Sequence, residues 1–278
     1  MKSDTDMKRY HTALTIAGSD PSGGAGLQAD LKTFSALGVY GSTAVVAVVD
    51  ENTAGVYGVH PIPVEFVKGQ IRSVLSDVGA DAVKIGMLHS SELILGVLDT
   101  MREYPLLRDV VLDPVMVATS GDPLLLPDAA GTLASQLIPY SRVITPNLPE
   151  AELLLGHKID GQSDFEDAAR SLSETGGGKV SVLLKAGHLD NAELTDYFYN
   201  AESGEMLRLT SPRVVTANTH GTGCTLSSAI AAMLALGYDL NDAVRGAKKY
   251  ISDAIKAGAD YQIGIGHGPV HHFHRWWK

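Results

Sequence analysis

A glycine-rich segment, residues 220–224, combines residue types and spacing suited to binding an anion. Its sequence is His-Gly-Thr-Gly-Cys, and apolar residues at helical spacing follow it from Leu226. The first amides of a helix have no intrahelical partner, and glycines let a phosphate approach the backbone closely. The segment therefore fits an anion hole for a transferring phosphoryl group. Taken alone, the segment is a weak motif and better fits a loop shaped by glycines with a buried cysteine.

A second glycine-rich segment, residues 18–26, follows the first apolar run of the chain. It lacks the Lys-Ser/Thr pair of a Walker A loop and the glycine spacing of a dinucleotide fingerprint. The segment is therefore interpreted as a strand-to-helix loop, with Asp30 in the first turns of the helix. Asp30 either contacts a polar ligand, or the whole region serves as cap and turn chemistry.

Carboxylates follow two further strands. Asp113 comes after one apolar run, and Asn147 and Glu150 come after the next. Carboxylates at adjacent strand ends can hold Mg²⁺, directly or through its waters. The alternative is ordinary capping, with Asn147 as N-cap and Glu150 as its capping-box partner. Lys185, at the end of a later apolar run, could reach nucleotide phosphates or remain a solvated lysine.

Short apolar runs alternate with helical patterns, which is typical of an α/β fold with a parallel sheet covered on both faces. The predicted strands are residues 13–17, 43–49, 82–85, 110–112, 142–145 and 180–185. Residues 194–209, interrupted by Ser203 and Gly204, predict a hairpin. We expect one domain over residues 1–278, with residues 1–10 as a polar N-terminal extension. Ligands should bind where the strands end, at residues 18–26, 50–53, 113–121, 146–150 and 218–224.

The composition excludes several classes of function. The chain has 22 Lys and Arg against 32 Asp and Glu, for a formal charge of −10, and no basic block, so nucleic acid is a poor partner. A single cysteine excludes an internal disulfide framework and agrees with a reducing compartment. No apolar run suggests a signal peptide or membrane span. We expect a cytoplasmic protein without a membrane partner. His271, His272 and His274 are expected to belong to a packed or solvated segment rather than to a zinc site.

Several motifs, in order along nearly the whole chain, resemble those of hydroxymethylpyrimidine/phosphomethylpyrimidine kinases of the ribokinase-like superfamily. They are residues 13–26, 28–34, 84–88, 120–124, 145–150, 218–226 and 268–274. The resemblance implies a three-layer α/β/α ribokinase-like fold with a central, mostly parallel sheet, and a homodimer. It also implies ATP-dependent phosphorylation of 4-amino-5-hydroxymethyl-2-methylpyrimidine, and then of its monophosphate, in thiamine biosynthesis. ATP and Mg²⁺ are the implied cofactors, and a monovalent cation is left open.

The resemblance also implies a role for each candidate site residue. Gly221, Gly223 and Cys224 would be catalytic; Gly18, Asp30, Glu51 and Met87 would bind the pyrimidine; Asn147, Lys185 and Thr222 would bind the nucleotide; and Asp113 and Glu150 would organise Mg²⁺. Cys224 stands where sugar kinases of the superfamily place an aspartate as base. At a helix N-terminus its pKa should fall, giving a thiolate that accepts the hydroxyl proton.

One position departs from the family pattern. Relatives commonly have Ala-Gln-Asn-Thr where this chain has Asp50-Glu51-Asn52-Thr53. A glutamine amide offers a donor to the ring nitrogen and an acceptor to the exocyclic amine, whereas an ionised glutamate only accepts. Glu51 keeps this pattern only when it or the ring nitrogen carries a proton. We predict that Glu51 recognises the edge of the pyrimidine.

Two other functions compete with this interpretation. A vitamin B6 kinase acts on a hydroxymethyl group of a similar flat ring, but pyridoxine lacks the exocyclic amine beside the ring nitrogen, and an acceptor at Glu51 favours the pyrimidine. A pyrimidine-binding protein without catalysis would not need the anion-hole and magnesium residues together. Residues 18–26 and 118–123 are the predicted candidates for a loop that closes over the substrate.

Overall fold

The computed structural model describes residues 8–116, 124–126, 128–187 and 192–277. Within these residues, one sheet contains the strands β1 (Thr12–Gly18), β2 (Tyr40–Asn52), β3 (Gly55–Pro61), β4 (Ala82–Ile85), β5 (Val110–Leu112), β6 (Val143–Ile144), β7 (Ser181–Leu184), β8 (Glu193–Asn200) and β9 (Glu205–Pro212). Their order is β3-β2-β1-β4-β5-β6-β7-β8-β9. Six neighbouring strands are parallel to one another: β2, β1, β4, β5, β6 and β7. The strand β3 at one edge and the strands β8 and β9 at the other edge are antiparallel additions.

Helices connect the strands and cover both faces of the sheet. They are α1 (Gly26–Ala36), α2 (Val64–Asp77), α3 (Ser91–Arg102), α4 (Ala129–Thr132), α5 (Leu148–Leu155), α6 (Phe165–Thr175), α7 (Thr222–Ala235) and α8 (Leu240–Gly258). A π-helical turn, Leu133–Leu137, and a 3₁₀ turn, Ile138–Tyr140, follow α4. Among the described helices, none combines the length and apolar character needed to cross a lipid bilayer.

Two hydrophobic cores lie on opposite faces of the sheet. One contains residues of α2, α3 and α6, among them the fully buried Ile71, Leu98 and Leu172. The other contains residues of α1, α7 and α8, among them Phe34 and Tyr250. Because each helix buries one stripe against the sheet, the result is three layers. The predicted α/β/α fold with a mostly parallel sheet is confirmed.

The strand order reverses at β1. All seven of its residues are buried, and it pairs with β2 on one side and β4 on the other. The connection that leaves β1 leads through α1 to β2 on one side, and the connection that leaves β4 leads through α3 to β5 on the other. These two connections diverge, which opens a crevice beyond the carboxyl ends of β1 and β4. Gly18, Met87 and Asp113 lie directly at the ends of β1, β4 and β5, so the fold gathers them along one edge of the sheet.

The structure differs from the prediction around residues 50–53. They do not form a loop: β2 continues to Asn52 and turns directly into the antiparallel strand β3. The predicted strand ended at residue 49 because no continuous apolar run follows. The exposed edge strand β3 carries a weak apolar pattern. The hairpin predicted over residues 194–209 is confirmed as β8 and β9.

The segment after α8 packs back onto the helical layer. The amide of His220, just before α7, donates to the carbonyl of Gly268 at 3.0 Å. His272 is buried, its Nε2 lies 3.0 Å from Thr225 Oγ1 on α7, and its carbonyl accepts from Tyr250 Oη at 2.6 Å. The predicted packing of this histidine-rich segment is confirmed at His272.

Replacing Leu98 by Ala tests the core beneath α3. Leu98 is fully buried, whereas Leu95 on the same helix is 41% exposed. We expect Leu98→Ala to lower the free energy of unfolding by about 2–5 kcal/mol, and Leu95→Ala by less than about 1 kcal/mol. Urea denaturation followed by circular dichroism measures both. Equal losses would contradict the assignment of the buried face of α3.

Candidate active site

Helix α7 begins with backbone amides that have no protein partner. Its N-cap Gly221 has a φ of 75°, in the left-handed region that favours glycine. A Cβ there would lie 1.8 Å from the carbonyl oxygen of Gly24, so only glycine lets the two loops meet. Among the described residues, the amides of Gly223 and Cys224 have no hydrogen-bond acceptor. These two amides, at the positive end of the helix dipole, form a site suited to an anion.

An ion pair faces the start of α7. Lys185 Nζ, just after β7, donates to Asp113 Oδ1, just after β5, at 3.1 Å. Thr145 Oγ1 donates to the same oxygen at 3.0 Å. A Cβ on Gly223 would lie 3.2 Å from Asp113 Oδ2 and 3.4 Å from Lys185 Nζ. A side chain at position 223 would thus crowd the ion pair, and glycine lets the free amides of α7 lie directly beside it.

Glu150 lies beside this ion pair and caps α5. Its amide donates to Asn147 Oδ1 at 2.9 Å, and its Oε2 accepts from the amide of Asn147 at 2.8 Å, which is a capping box. Burial raises the pKa of Glu150 to about 7, with Lys185 opposing the rise and Asp113 adding to it. The capping interpretation of these two residues is confirmed. The carboxyl group of Glu150 also titrates near neutral pH.

The loop between β1 and α1, residues 19–25, folds around the carboxylate of Asp20. This carboxylate accepts from the amides of Ser22 at 2.7 Å, Gly24 at 2.9 Å and Ala25 at 2.6 Å, and His220 Nε2 lies 2.9 Å away. Burial opposes ionisation, but the hydrogen bonds from His220 and Ser22 hold the pKa of Asp20 well below its usual range. The loop is therefore held by hydrogen bonds of its own, and its closure over a substrate stays a prediction. The other predicted lid, residues 118–123, lies outside the described residues.

Glu51 lies next to this pinned loop. Its carboxylate and the nearest ligand atoms of Asp20 and His220 all lie within 4.8 Å of one another. Burial raises the pKa of Glu51 to about 7; the charge of Asp20 adds to the rise and His220 opposes it. Gly18 and Met87 meet nearby, since a Cβ on Gly18 would lie 2.8 Å from Met87 Cε. These residues line one side of the crevice.

Asp30 lies beneath the crevice and does not reach it. It is fully buried, and Lys84 Nζ donates to its two oxygens at 3.0 and 2.9 Å. Thr15 Oγ1 on β1 and Ser228 Oγ on α7 also donate to it, at 2.6 and 2.5 Å. The structure therefore does not bring Asp30 into the crevice, because every side of the carboxylate is occupied by protein donors, and its contact with the substrate stays a prediction.

The thiol of Cys224 does not follow the sequence-based expectation either. Burial raises its pKa to about 11, while the charge of Lys84 opposes the rise. The nearby carboxylates of Asp30 and Asp113 raise it further, and a hydrogen bond from the amide of Gly26 lowers it. The predicted fall in pKa at the helix N-terminus is wrong, because desolvation of the thiolate outweighs the helix dipole.

The comparison with known proteins decides the family. A family model described as phosphomethylpyrimidine kinase matches residues 20–271. The chain belongs to the phosphomethylpyrimidine kinase family. It is 50% identical over 273 residues to the hydroxymethylpyrimidine/phosphomethylpyrimidine kinase of Escherichia coli, covering 98% of this chain and 100% of that protein.

Solved structures of two relatives share the fold. A phosphomethylpyrimidine kinase from Clostridium difficile has a TM-score of 0.76 and 43% identity, covering 88% of this chain and 99% of that one. An ADP complex of Bacillus subtilis pyridoxal kinase has a TM-score of 0.84 and 39% identity, covering 95% and 97%. Phosphomethylpyrimidine kinases and pyridoxal kinases therefore share this architecture.

Within this phosphomethylpyrimidine kinase fold, most predicted site residues meet along one sheet edge in two groups. The phosphate side brings together Gly221, Gly223, Cys224, Asp113, Glu150 and Lys185, and the other side brings together Gly18, Glu51 and Met87. Thr222 and Asn147 lie beside the phosphate side, but Thr222 Oγ1 already donates to the carbonyl of Thr219 at 2.7 Å, and the Asn147 side-chain oxygen is engaged in its cap.

Sequence reasoning missed three residues of the site. Asp20 and His220 lie 200 positions apart, so no local pattern joins them, although Asp20 in a Gly-Ser-Asp-Pro segment is a typical turn former. Lys84, which lies beneath the site, belongs to a predicted strand and to one of the family-like motifs, but the sequence analysis predicts no role for it. A charged residue inside a buried apolar run needs a buried partner of opposite charge, and this pattern in the sequence could have indicated that Lys84 has such a partner.

The Asp20 carboxylate provides a pH-dependent test of the loop. Because its pKa in the folded protein is depressed, the stability it contributes is fully present above the unfolded pKa near 3.8 and is lost only as pH falls from there toward the folded pKa, which lies well below that value. We expect Asp20→Asn to lower the free energy of unfolding by about 2–3 kcal/mol at pH 7, and by a smaller but still appreciable amount at pH 3, where the carboxylate of the folded protein is still ionised.

Urea titrations at both pH values measure this difference. Asp99→Asn is the matched control, since Asp99 is 67% exposed in its pair with Arg102 and its loss should change stability by less than about 0.5 kcal/mol at either pH. A pH-independent loss for Asp20→Asn would show that the charge of Asp20 does not hold the loop.

Proposed function

We propose that this protein is an ATP-dependent kinase that phosphorylates 4-amino-5-hydroxymethyl-2-methylpyrimidine and then its monophosphate, in thiamine biosynthesis. The observation that carries the proposal is the pair of free amides at Gly223 and Cys224, which lies beside the Asp113–Lys185 ion pair. Its relative from E. coli bears the names of both kinase activities. We further propose a cytoplasmic homodimer that acts on a small pyrimidine.

Phosphoryl transfer needs positioning and charge stabilisation more than covalent chemistry. The substrate hydroxyl oxygen attacks the γ-phosphorus of ATP, the bond from that phosphorus to the ADP oxygen breaks, and the hydroxyl proton leaves. The amides of Gly223 and Cys224 donate to the oxygens of the group in transfer. Lys185, 14% exposed beside them, is placed to neutralise phosphate charge while it stays anchored to Asp113.

The carboxylates of Asp113 and Glu150 fit a magnesium site of the second-shell type. Asp113 is 1% exposed and its oxygens already accept from protein donors, so its charge would act on the waters of the ion rather than on the ion itself. Mg²⁺, when bound, offsets the negative charge of the ATP phosphates. Glu150, whose pKa is about 7, supplies a second carboxyl group to hold the same waters.

Cys224 is the proposed acceptor of the substrate proton. In a loose transition state the attacking hydroxyl keeps its proton until late, so a base contributes less than positioning does. A thiol whose burial raises the pKa to about 11 is seldom ionised at neutral pH, which also limits its share of the rate. The free amides therefore carry most of the catalysis, and Cys224 completes the proton transfer.

Pyridoxal kinase is the second candidate, favoured by the likeness to the B. subtilis pyridoxal kinase at a TM-score of 0.84. Glu51 argues for the pyrimidine. With a pKa of about 7 its carboxyl group is neutral below that pH, and it then offers one donor and one acceptor, as a glutamine amide does. An aminopyrimidine edge accepts at its ring nitrogen and donates at its amine, which matches this pair.

The decisive experiment measures ADP release from MgATP by the purified protein, with the aminopyrimidine alcohol, its monophosphate, pyridoxal or no acceptor. We expect turnover with both pyrimidines at a kcat/KM at least about 100-fold above that with pyridoxal. Preference for pyridoxal would establish the second candidate. No turnover above the acceptor-free rate would contradict both kinase functions.

Gly221→Ala serves as the inactive control, because its Cβ would collide with Gly24 and displace the free amides of α7. We expect a loss of kcat of about 100-fold or more. Gly237→Ala matches it, since Gly237 also has a positive φ of 87° but its Cβ would meet no atom within 4 Å. Gly237→Ala should keep kcat within about twofold of wild type.

Replacing Glu51 by Gln tests recognition of the pyrimidine. As pH rises through about 7, Glu51 loses its proton and its donor. The KM of the wild type for the pyrimidine alcohol should then rise about tenfold for each pH unit above 7. Glu51→Gln keeps its donor, so its KM should be constant between pH 6 and 8.5.

Steady-state kinetics across this pH range measure the effect. Asp50→Asn is the control, because Asp50 is the exposed neighbour on β2 and should leave the wild-type profile unchanged. A Glu51→Gln profile that matches the wild-type profile would place Glu51 outside the contacts to the ring.

A further inference from the structure

A lysine is buried beneath the proposed proton acceptor. Lys84, on β4, is 0% exposed and pairs with Asp30, which is also 0% exposed. A buried ion pair contributes little more to stability than a well-packed apolar pair, and often less. The other residues of β4 are apolar and buried, so an apolar side chain at position 84 would suit the sheet equally well. The charge at this position calls for a reason other than stability.

The ammonium group of Lys84 reaches toward the carboxyl end of its strand. A Cβ on Gly86 would lie 2.8 Å from Lys84 Nζ, so the nitrogen lies at the level of the residues that leave β4 for the crevice. There it is fixed by two hydrogen bonds to Asp30, at 3.0 and 2.9 Å. The position of this positive charge is thus defined by the protein.

Helix α7 brings Cys224 over this charge. Residues four apart on a helix share a face, and Ser228, four residues after Cys224, donates to Asp30 at 2.5 Å. The thiol therefore lies on the face of α7 that packs onto the Lys84–Asp30 pair. The amide of Gly26, the first residue of α1, donates to the sulfur from the other side.

Four charged groups from different elements face the thiol. They are Lys84 on β4, Asp30 on α1, Asp113 after β5 and Lys185 after β7. Of the charges that change the pKa of Cys224, Lys84 has the largest effect, ahead of the two carboxylates. Asp30 holds Lys84 in place and partly offsets its charge.

We propose that Lys84 is a positioning residue for the proton transfer, whose buried ammonium stabilises the Cys224 thiolate as the substrate hydroxyl loses its proton. This inference rests on the proposed function of Cys224. The resting thiol first releases its proton to solvent, the hydroxyl proton then passes to the thiolate sulfur, the new thiol is neutral, and Lys84 keeps its own proton throughout. Asp30 has the opposite effect on the thiolate and serves to anchor Lys84.

Because Cys224 is the only cysteine of the chain, its ionisation can be followed in the whole protein without interference. The rate of alkylation by iodoacetamide between pH 7 and 9, in the absence of substrate and metal, is proportional to the thiolate fraction. We expect Lys84→Met to react at least about tenfold more slowly than wild type at each pH. Asp30→Asn should react faster than wild type.

The direction of the change in alkylation rate separates this role of Lys84 from a purely structural one. Loosening of the packing exposes the thiol and accelerates alkylation in any variant, so it cannot produce a slower reaction. Lys248→Met is the matched control, because Lys248 forms a similar, largely buried pair with Asp196 at 2.7 Å elsewhere in the fold. It should not slow the reaction.

A Lys84→Met rate equal to or above that of Lys248→Met would overturn the proposal. Should Lys84→Met fail to fold by circular dichroism, the double variant Lys84→Met/Asp30→Asn removes both charges together. It should still react more slowly than wild type, since Lys84 has the larger effect; an equal or faster rate overturns the proposal.

The proposed kinase function and the proposed role of Lys84 are tested by different measurements, so each can fail without the other. If wild-type protein releases no ADP with either pyrimidine, the assignment of the kinase activity is lost whatever the alkylation rates are. If ADP is released but the rates do not depend on Lys84, only the role of Lys84 is lost.

Discussion

A carboxylate without access to water must receive hydrogen bonds from protein donors on every side, and the site depends on how Asp30 meets this requirement. Its donors come from three other elements: Thr15 on β1, Lys84 on β4 and Ser228 on α7. Satisfying one buried charge therefore fixes α7 over the two central strands. The free amides at the start of α7 inherit their position from this arrangement, although none of the four residues reaches the crevice.

A second charged centre, Asp20, acts in the same way at the surface of the site. By accepting three amides of its own loop and pairing with His220, it joins the β1–α1 loop to the residue before α7. The close approach of Gly24 and Gly221 is possible only because neither residue has a side chain. The two buried carboxylates thus hold separate elements together around this site, as a disulfide or a metal ion does in other folds.

Much of the fold could be predicted from the sequence, because fully buried parallel strands appear as continuous apolar runs. The runs at residues 82–85 and 110–112 match β4 and β5 residue for residue. The exposed strand β3 could not be foreseen, because its pattern is set by β2 beside it and not by burial.

Within the site, residues at strand ends were predictable from topology. The partners of Asp30 and Asp20 were not, because hydrogen bonds across 198 and 200 residues leave no local pattern. The pKa of Cys224 was misjudged because helix position is visible in a sequence and depth is not.

The packing of residues 268–272 against α7 has a consequence for biosynthesis. The ribosome releases a chain from its amino end, and domains form as their segments emerge. The sheet and most of its helices can assemble early, but His220 waits for the carbonyl of Gly268, and Thr225 waits for His272. The catalytic edge is therefore completed only when the segment beyond α8 has left the exit tunnel. A nascent chain already holding its hydrophobic layers would remain inactive until that moment.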